Sequence, residues 1–451
     1  MIRLAKIFLL FAMILSVFMT GTFMPGAHSD AIYEADYPKT VPTPDQSDYL
    51  SGDGELDYEA YSEAYDRWIN DSGKKRLKND ENIELHDYFA RISAEFLART
   101  DGENKVLSPV NVYLALSMLC EITDGTTRGE ILALLGADSI EQLRKQANAI
   151  FLSVYENDGQ TTSVPAASVW LRNDISYKSD SLRILSEEYF ASSFSGEMGA
   201  PEYDAQIQKW LSEATGGLLD EQAKGITFDP DTIIALATSL YFKAGWEYEF
   251  SKSGTTTDVF HAFSGDIQAE YMRKSNSDTY YWGENFGAVA LPLTNRGDMW
   301  FILPDEGVSP ESLFASDELL TLIENPGEWS NQKRLVINKR IPKFDVTGET
   351  DLIDHLKNLG IDAAFDSSKS DFTPLTYTPE IVVSKAQHDA RVKINEQGVE
   401  AAAFTVIMAM PTSARPPEEE MDFIVDRPFA FIITSPEGLP LFTGIVNETE
   451  K

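Results

Sequence analysis

The run Glu396-Gln397-Gly398-Val399-Glu400-Ala401-Ala402-Ala403-Phe404-Thr405 is small, sparsely charged and pivots on a glycine, and the apolar block Phe423-Ile424-Val425-Asp426-Arg427-Pro428-Phe429-Ala430-Phe431-Ile432-Ile433 begins eighteen residues after it. On intrinsic propensity, alanines that follow glutamates favour a surface helix. As a strand, the same run has a definite parity, because successive side chains point to opposite faces. One face takes Val399, Ala401, Ala403, Thr405 and Ile407, and the other takes Glu400, Ala402, Phe404 and Val406. Glu400 is the only charge between Gly398 and Arg415, so a slip by one residue would bury that carboxylate. Gly398 tolerates the change of dihedral angles that a loop-to-strand conversion demands. The strand reading therefore requires a sheet able to receive this segment.

A chain of 451 residues, 43% hydrophobic and 11% aromatic, can bury one large core or two smaller ones. Its formal charge of −35, from 72 acids against 37 bases, argues against nucleic acid or an anionic membrane as partner. Cys120 is the sole cysteine, so no intramolecular disulfide forms, and its apolar setting in Leu116-Ser117-Met118-Leu119-Cys120 reads as a buried thiol.

Arg3 and Lys6 precede an apolar stretch from Ile7 to Met24, and Ala27-His28-Ser29 supplies small residues before acidic sequence. Residues 1–29 therefore read as an export signal cleaved near Ser29, with an uncleaved membrane anchor as the alternative. From Asp30 to Asp71 only Lys39 and Arg67 oppose the acids, and prolines stand at 38, 42 and 44. Residues 30–81 are expected to be an acidic, mostly disordered spacer, with helix over Tyr58 to Ile69. The folded part begins near Asn82, where Leu85, Phe89, Ile92 and Phe96 lie at helical spacing. Ser108-Pro109 reads as the cap and first turn of a second helix. Ile233 to Phe242 reads as a strand buried on both faces. Ala288 to Leu293 and Met299 to Pro304 read as a hairpin around Asn295-Arg296-Gly297.

Enzyme motifs are missing. The chain has no Gly-x-Ser-x-Gly elbow, no phosphate-binding Gly-x-x-x-x-Gly-Lys loop and no His-Glu-x-x-His helix. Its five histidines, at 28, 86, 261, 355 and 388, are scattered, so no metal and no cofactor is expected.

Several blocks in order carry a family resemblance: Val106 to Leu119 with Gly125-Thr126-Thr127-Arg128-Gly129-Glu130-Ile131, Leu240 to Glu247, Ile341-Pro342-Lys343-Phe344, Val383 to His388, the run at 396–405 and the block at 423–433. Over about residues 82–451 the chain resembles the serpins. That resemblance implies an α+β serpin fold with three β-sheets, about nine helices and an exposed mobile reactive loop. It makes Glu396, Gly398, Val399, Glu400, Ala401, Ala402, Ala403 and Thr405 the hinge of that loop. The family's spacing places the reactive bond between Thr412 and Ser413, within a window from Met410 to Arg415. It puts Trp246 at the breach where the loop enters the main sheet, and His388 in the shutter beneath. The family pattern also departs here, with Asn111 in place of serine, Thr238 in place of asparagine, Val399 in place of threonine or serine, and a bulky Phe404.

The function implied is protease inhibition by suicide-substrate trapping, not catalysis. Pro416 after Arg415 disfavours a trypsin-like target, so the expected partner is an extracellular serine protease of elastase-like or subtilisin-like type, with a cysteine protease as the variant, met by a monomeric inhibitor. The rivals are a non-inhibitory serpin acting as carrier, chaperone or decoy substrate, and a surface-tethered interaction protein working through its acidic spacer.

Overall fold

The computed structural model describes residues 30–39, 42–44, 46–51, 55–75, 85–159, 161–294, 297–399 and 419–449. Among these residues there are ten α-helices: α1 (Tyr58–Lys75), α2 (His86–Leu97), α3 (Pro109–Glu121), α4 (Gly125–Leu135), α5 (Ile140–Val154), α6 (Ser179–Glu188), α7 (Pro201–Ala214), α8 (Asp220–Ala223), α9 (Glu318–Glu324) and α10 (Ile353–Asn358). The first eight strands are β1 (Lys105–Leu107), β2 (Glu156–Asn157), β3 (Thr162–Arg172), β4 (Ala191–Gly196), β5 (Ile234–Gly245), β6 (Thr256–Ala262), β7 (Gly265–Trp282) and β8 (Phe286–Pro292). Eight more follow: β9 (Asp298–Pro304), β10 (Gln332–Pro342), β11 (Phe344–Asp351), β12 (Gln387–Asn395), β13 (Gly398–Val399), β14 (Glu420–Ile424), β15 (Phe429–Thr434) and β16 (Pro440–Val446).

Local chemistry sets the helix ends. Leu85, Phe89, Ile92 and Phe96 are all buried, along the inner face of α2 and just before it. Ser108 accepts a hydrogen bond from the Asn111 backbone at 3.3 Å, and Pro109 opens α3, where a missing N–H costs nothing. Along α3 nearly every residue is buried, which matches its low amphipathicity and places it in the middle of the core. Cys120 is fully buried there, and burial pushes its thiol up to about 12, so it is an inert part of the packing.

Two ladders of strands hold the domain. The nine-stranded one runs β1-β16-β15-β9-β8-β7-β10-β14, with β6 on β7. It is really two wings: β7 pairs with β6 and β10 over most of its length, and joins β8 through only Tyr280, Tyr281 and Trp282. The three sheets implied by the resemblance are thus present as one separate sheet and two wings that share β7. The C-terminal block supplies β15, paired on both sides by β9 and β16, and all six of its residues are buried.

The seven-stranded ladder runs β11-β12-β13-β5-β3-β2, with β4 on β3. One face packs on α3, α5 and α6 in the main core, and the other carries α7 through Trp170, Phe194, Tyr203, Ile207 and Trp210. Because both faces are covered, nine consecutive residues of β3 are buried, a pattern without alternation. The run from Ile233 lies in β5 as expected, yet Ala235 to Thr238 are only half-buried. That half of the strand lacks a neighbour on one side, as described below.

Part of the expected spacer packs on the domain. Residues 58–75 form α1, longer than the helix expected over Tyr58 to Ile69, and Ala64 and Trp68 on it are buried. Further upstream, Tyr33 makes an antiparallel bridge with Ser193 of β4, and the Tyr37 ring stacks on Tyr155 at 5.9 Å. Overall charge disfavours a separate core in this segment, but it does not prevent docking of single aromatic groups on a core built elsewhere.

His388 lies on β12 opposite Thr350 of β11 and is 4% exposed. Its Nε2 accepts the Ser108 backbone N–H at 3.0 Å, which ties the sheet to the cap of α3 and leaves the ring proton on Nδ1. Burial lowers its pKa to about 4. The folded state therefore binds fewer protons at this site than the unfolded chain between the unfolded value near 6.5 and about 4, so the stabilising neutral form is lost as pH falls through that window. Thermal melts should show up to about 3 kcal/mol of stability disappearing over it. His388→Gln should flatten that part of the pH profile, and an unchanged profile would contradict the assignment.

Candidate functional site

The hinge sequence turns back on β12 and meets β5. Asn395 pairs with Gly398, and Ile394 with Val399, so Glu396-Gln397 form a two-residue turn, closed by a 2.8 Å bond from the Gln397 N–H to the Asn395 side-chain oxygen. On its other side Gly398 pairs with Gly245 and Val399 with Ala244. Each pairing is antiparallel, so β12 and β5 run parallel to one another with β13 wedged between them. A Cβ added at Gly398 would sit 2.3 Å from the Ala244 carbonyl oxygen and 2.7 Å from the Gly245 Cα, so only glycine fits between the two strands.

Below this wedge the described residues leave two edges of the sheet facing one another. β5 is laddered to β3 on one edge along Ile234–Lys243, and β12 to β11 along Gln387–Ile394. On the edges that face one another, no ladder is made among the described residues below Ala244 and Ile394. Beside that opening burial alternates along β12, where Ala390 and Val392 are buried and Lys393 is not; on β5 Ser239 to Phe242 are all buried and Lys243 is half-buried.

A network around Glu396 fixes the turn. Its carboxylate is 6% exposed, 2.7 Å from the Lys343 ammonium, and accepts the Thr255 hydroxyl at 2.7 Å. Burial works against its charged form, but the hydrogen bonds from Lys343 and Thr255 prevail and hold the carboxyl below its ordinary range. Lys343 also reaches Glu270 at 3.2 Å. The Glu396 carbonyl accepts the Phe250 N–H and the Gln397 carbonyl the Trp246 N–H, both at 2.9 Å. Trp246 is 3% exposed, donates its indole N–H to the Asn395 carbonyl at 2.8 Å and meets Phe250 edge-on at 6.0 Å.

The structure thus brings Glu396, Gly398, Val399 and Trp246 together at one end of the opening, with His388 further along β12 on its rim. Glu400, Ala401, Ala402, Ala403, Thr405, the pair Thr412 and Ser413, and the whole window from Met410 to Arg415 lie outside the described residues. Chain is described again at Glu419, whose carbonyl accepts the Val336 N–H at 2.9 Å before β14 joins β10 in parallel. Lys343, Thr255 and Glu270 were not picked out as site residues from sequence. A carboxylate at the foot of a strand needs a cation if it is buried, but only the topology brings β11's flank to it.

A serpin family model, described as serine protease inhibitor, matches residues 86–449. Serpin-Z1C of Triticum aestivum is 31% identical over 371 residues, covering 77% of this chain and 90% of that protein. Serpin-ZX of Arabidopsis thaliana is 28% identical, over 81% of this chain and 98% of its own length. Among solved structures, the thermophilic serpin tengpin in its native state superposes with a TM-score of 0.72 at 26% identity, covering 83% of this chain and 96% of its own. With the family model matching most of its length and these relatives agreeing, the chain belongs to the serpin family of serine protease inhibitors.

Proposed function

We propose that this protein is an exported, monomeric protease inhibitor that traps its target by taking its own cleaved loop into the seven-stranded sheet. The observation that carries the reading is the two-residue foothold of β13 at the head of facing unladdered edges. Extending that ladder past Val399 at unchanged register would set Glu400 between Lys243 and Lys393, Ala401 between Phe242 and Val392, Ala403 between Leu240 and Ala390, and Thr405 between Thr238 and His388. The one carboxylate would fall between two lysines and the alanines between buried apolar groups, which is the parity favoured by desolvation.

The chemistry follows from that geometry. A target's serine hydroxyl adds to the carbonyl carbon of the residue before the cut, the amine of the following residue leaves with a proton, and an ester tethers the protease to the loop. Strand formation by about sixteen residues at about 3.3 Å each carries the tether roughly 50 Å, before water can hydrolyse the ester. Insertion as an added strand is the mode by which the family's loops are described as acting. We place the reactive bond at Thr412–Ser413, within Met410 to Arg415, and favour an elastase-like or subtilisin-like serine protease, because Pro416 blocks cleavage after Arg415. The acyl chemistry extends to cysteine proteases.

Export followed by removal of residues 1–29 should yield a chain whose mass begins near Asp30. Incubated with a panel of serine proteases, that chain should form a detergent-resistant covalent complex with an elastase-like or subtilisin-like member. Clipping of the loop with no covalent product by any protease would overturn the inhibitory reading. Val399 is 3% exposed, so Val399→Glu would put an unpaired carboxylate on the buried face of the wedge. It should raise the number of inhibitor molecules cleaved per protease trapped by about tenfold or more. Unchanged stoichiometry would count against strand insertion.

A further inference from the structure

The N-terminal segment runs along the far edge of the same sheet and finishes near the hinge. The Ile32 N–H donates to the Ser193 carbonyl of β4 at 2.7 Å, and the Ser193 N–H to the Tyr33 carbonyl at 2.8 Å. Ser192 accepts the Ala35 N–H on its hydroxyl at 3.1 Å, while Ser186 of α6 donates its own hydroxyl to the Glu34 carbonyl at 3.0 Å. Tyr37 lays its ring against Phe151 of α5, with centroids 6.1 Å apart, and against Tyr155, and hydrogen-bonds with the Ala167 backbone of β3. Thr43 then makes two bonds to Asp158, in the turn between β2 and β3: its N–H donates to the Asp158 carbonyl at 2.9 Å and its hydroxyl to the carboxylate at 2.7 Å.

From Asp158 a hydrogen-bonded chain leads to the wedge. The other carboxylate oxygen accepts the Thr161 N–H at 2.8 Å, and the Thr161 and Thr294 hydroxyls lie 3.3 Å apart. Thr294 accepts the Gly245 N–H on its hydroxyl at 3.1 Å and donates its own N–H to the Gly245 carbonyl at 2.9 Å. Gly245 is the residue paired with Gly398. Asp158 is 5% exposed and Thr161 1%, so the bond between them is shielded from competing water, and the links on either side are half-buried.

We propose that residues 30–39 and 42–44 are a strap that holds the β3–β4–β5 half of the sheet against α5 and α6 and, through Asp158, Thr161 and Thr294, restrains β5 at the point where β13 enters. The inference rests on the insertion reading above, since only a sheet that must widen between β5 and β12 has something to restrain. Neighbouring strands lie about 4.8 Å apart, so admitting another requires one half of the sheet to shift by about that distance relative to the helices beneath it. The strap bonds to both bodies and loses contacts when they separate, so it binds the strand-deficient form in preference to the inserted one. Its first residue follows the expected signal cleavage site, which leaves the whole strap on an exported chain.

Two measurements on the full chain and its variants test this. Hydrogen exchange requires no protease. Thr43→Val keeps the shape of the side chain but removes its donor, and should speed exchange of the Gly245 and Trp246 amides by roughly fivefold, with Tyr37→Ala acting in the same direction. Exchange within twofold of the parent in both variants would refute the coupling. Deletion of residues 30–44 should make the intact inhibitor lose trapping capacity spontaneously about tenfold faster, giving a monomer of higher melting temperature, and a synthetic peptide of residues 30–44 should slow the loss. Equal half-lives, or loss by unfolding and aggregation, would overturn the strap. A parent chain that traps no protease would instead overturn the insertion reading, and the exchange result alone would then judge the strap; if the deletion fails to fold, the two point variants decide in both measurements.

Discussion

Backbone hydrogen bonding that the described residues leave unmade between β5 and β12 is the constraint on which the rest of the molecule depends. Each peptide unit along a sheet edge carries a donor and an acceptor that must find partners, and burial without them is costly. Here two parallel edges face one another beneath a two-residue wedge, while the outer edges of the same strands are fully laddered. On the proposed insertion reading, a sheet in that condition has a better-bonded state available to it. What separates the two states is access to a strand of suitable parity, and the segment after Val399 has that parity.

The surroundings of the wedge fix the position of Gly398 and Val399 between β12 and β5. Gly398 has the backbone of β5 within distances that exclude a side chain, and the turn before it is held by Glu396 through Lys343 and Thr255. Trp246 and Phe250 close the end of the opening by donating their backbone N–H groups to the turn's carbonyls. These are short-range, directional ties to a fixed platform. Further along the opening, His388 joins β12 to the cap of α3 instead of to a strand, so the rim is anchored to the helical layer beneath.

Much of this was legible in the chain. The alternation from Val399 to Thr405 assigns a face to each residue, and of these only Val399 lies among the described residues, on the buried face with Ala244 and Ile394. Helical spacing at Leu85 to Phe96 and the Ser108-Pro109 cap were readable because both depend on local chemistry. Lys343 and Thr255 escaped notice because their role is set by a contact with Glu396 across distant parts of the chain. The docking of the acidic N-terminal segment was not legible for the same reason. Its composition lacks the material for a core of its own, but Tyr37 needs only a site already built by Phe151 and Tyr155.

The most direct test of a strand-deficient native state is the melting temperature of the chain before and after a single cut in its loop. Cleavage within Met410 to Arg415 by a non-target protease should leave a two-part molecule that melts higher than the intact one, by roughly 20 °C or more. A nicked chain that melts at the same temperature, or lower, would contradict the account.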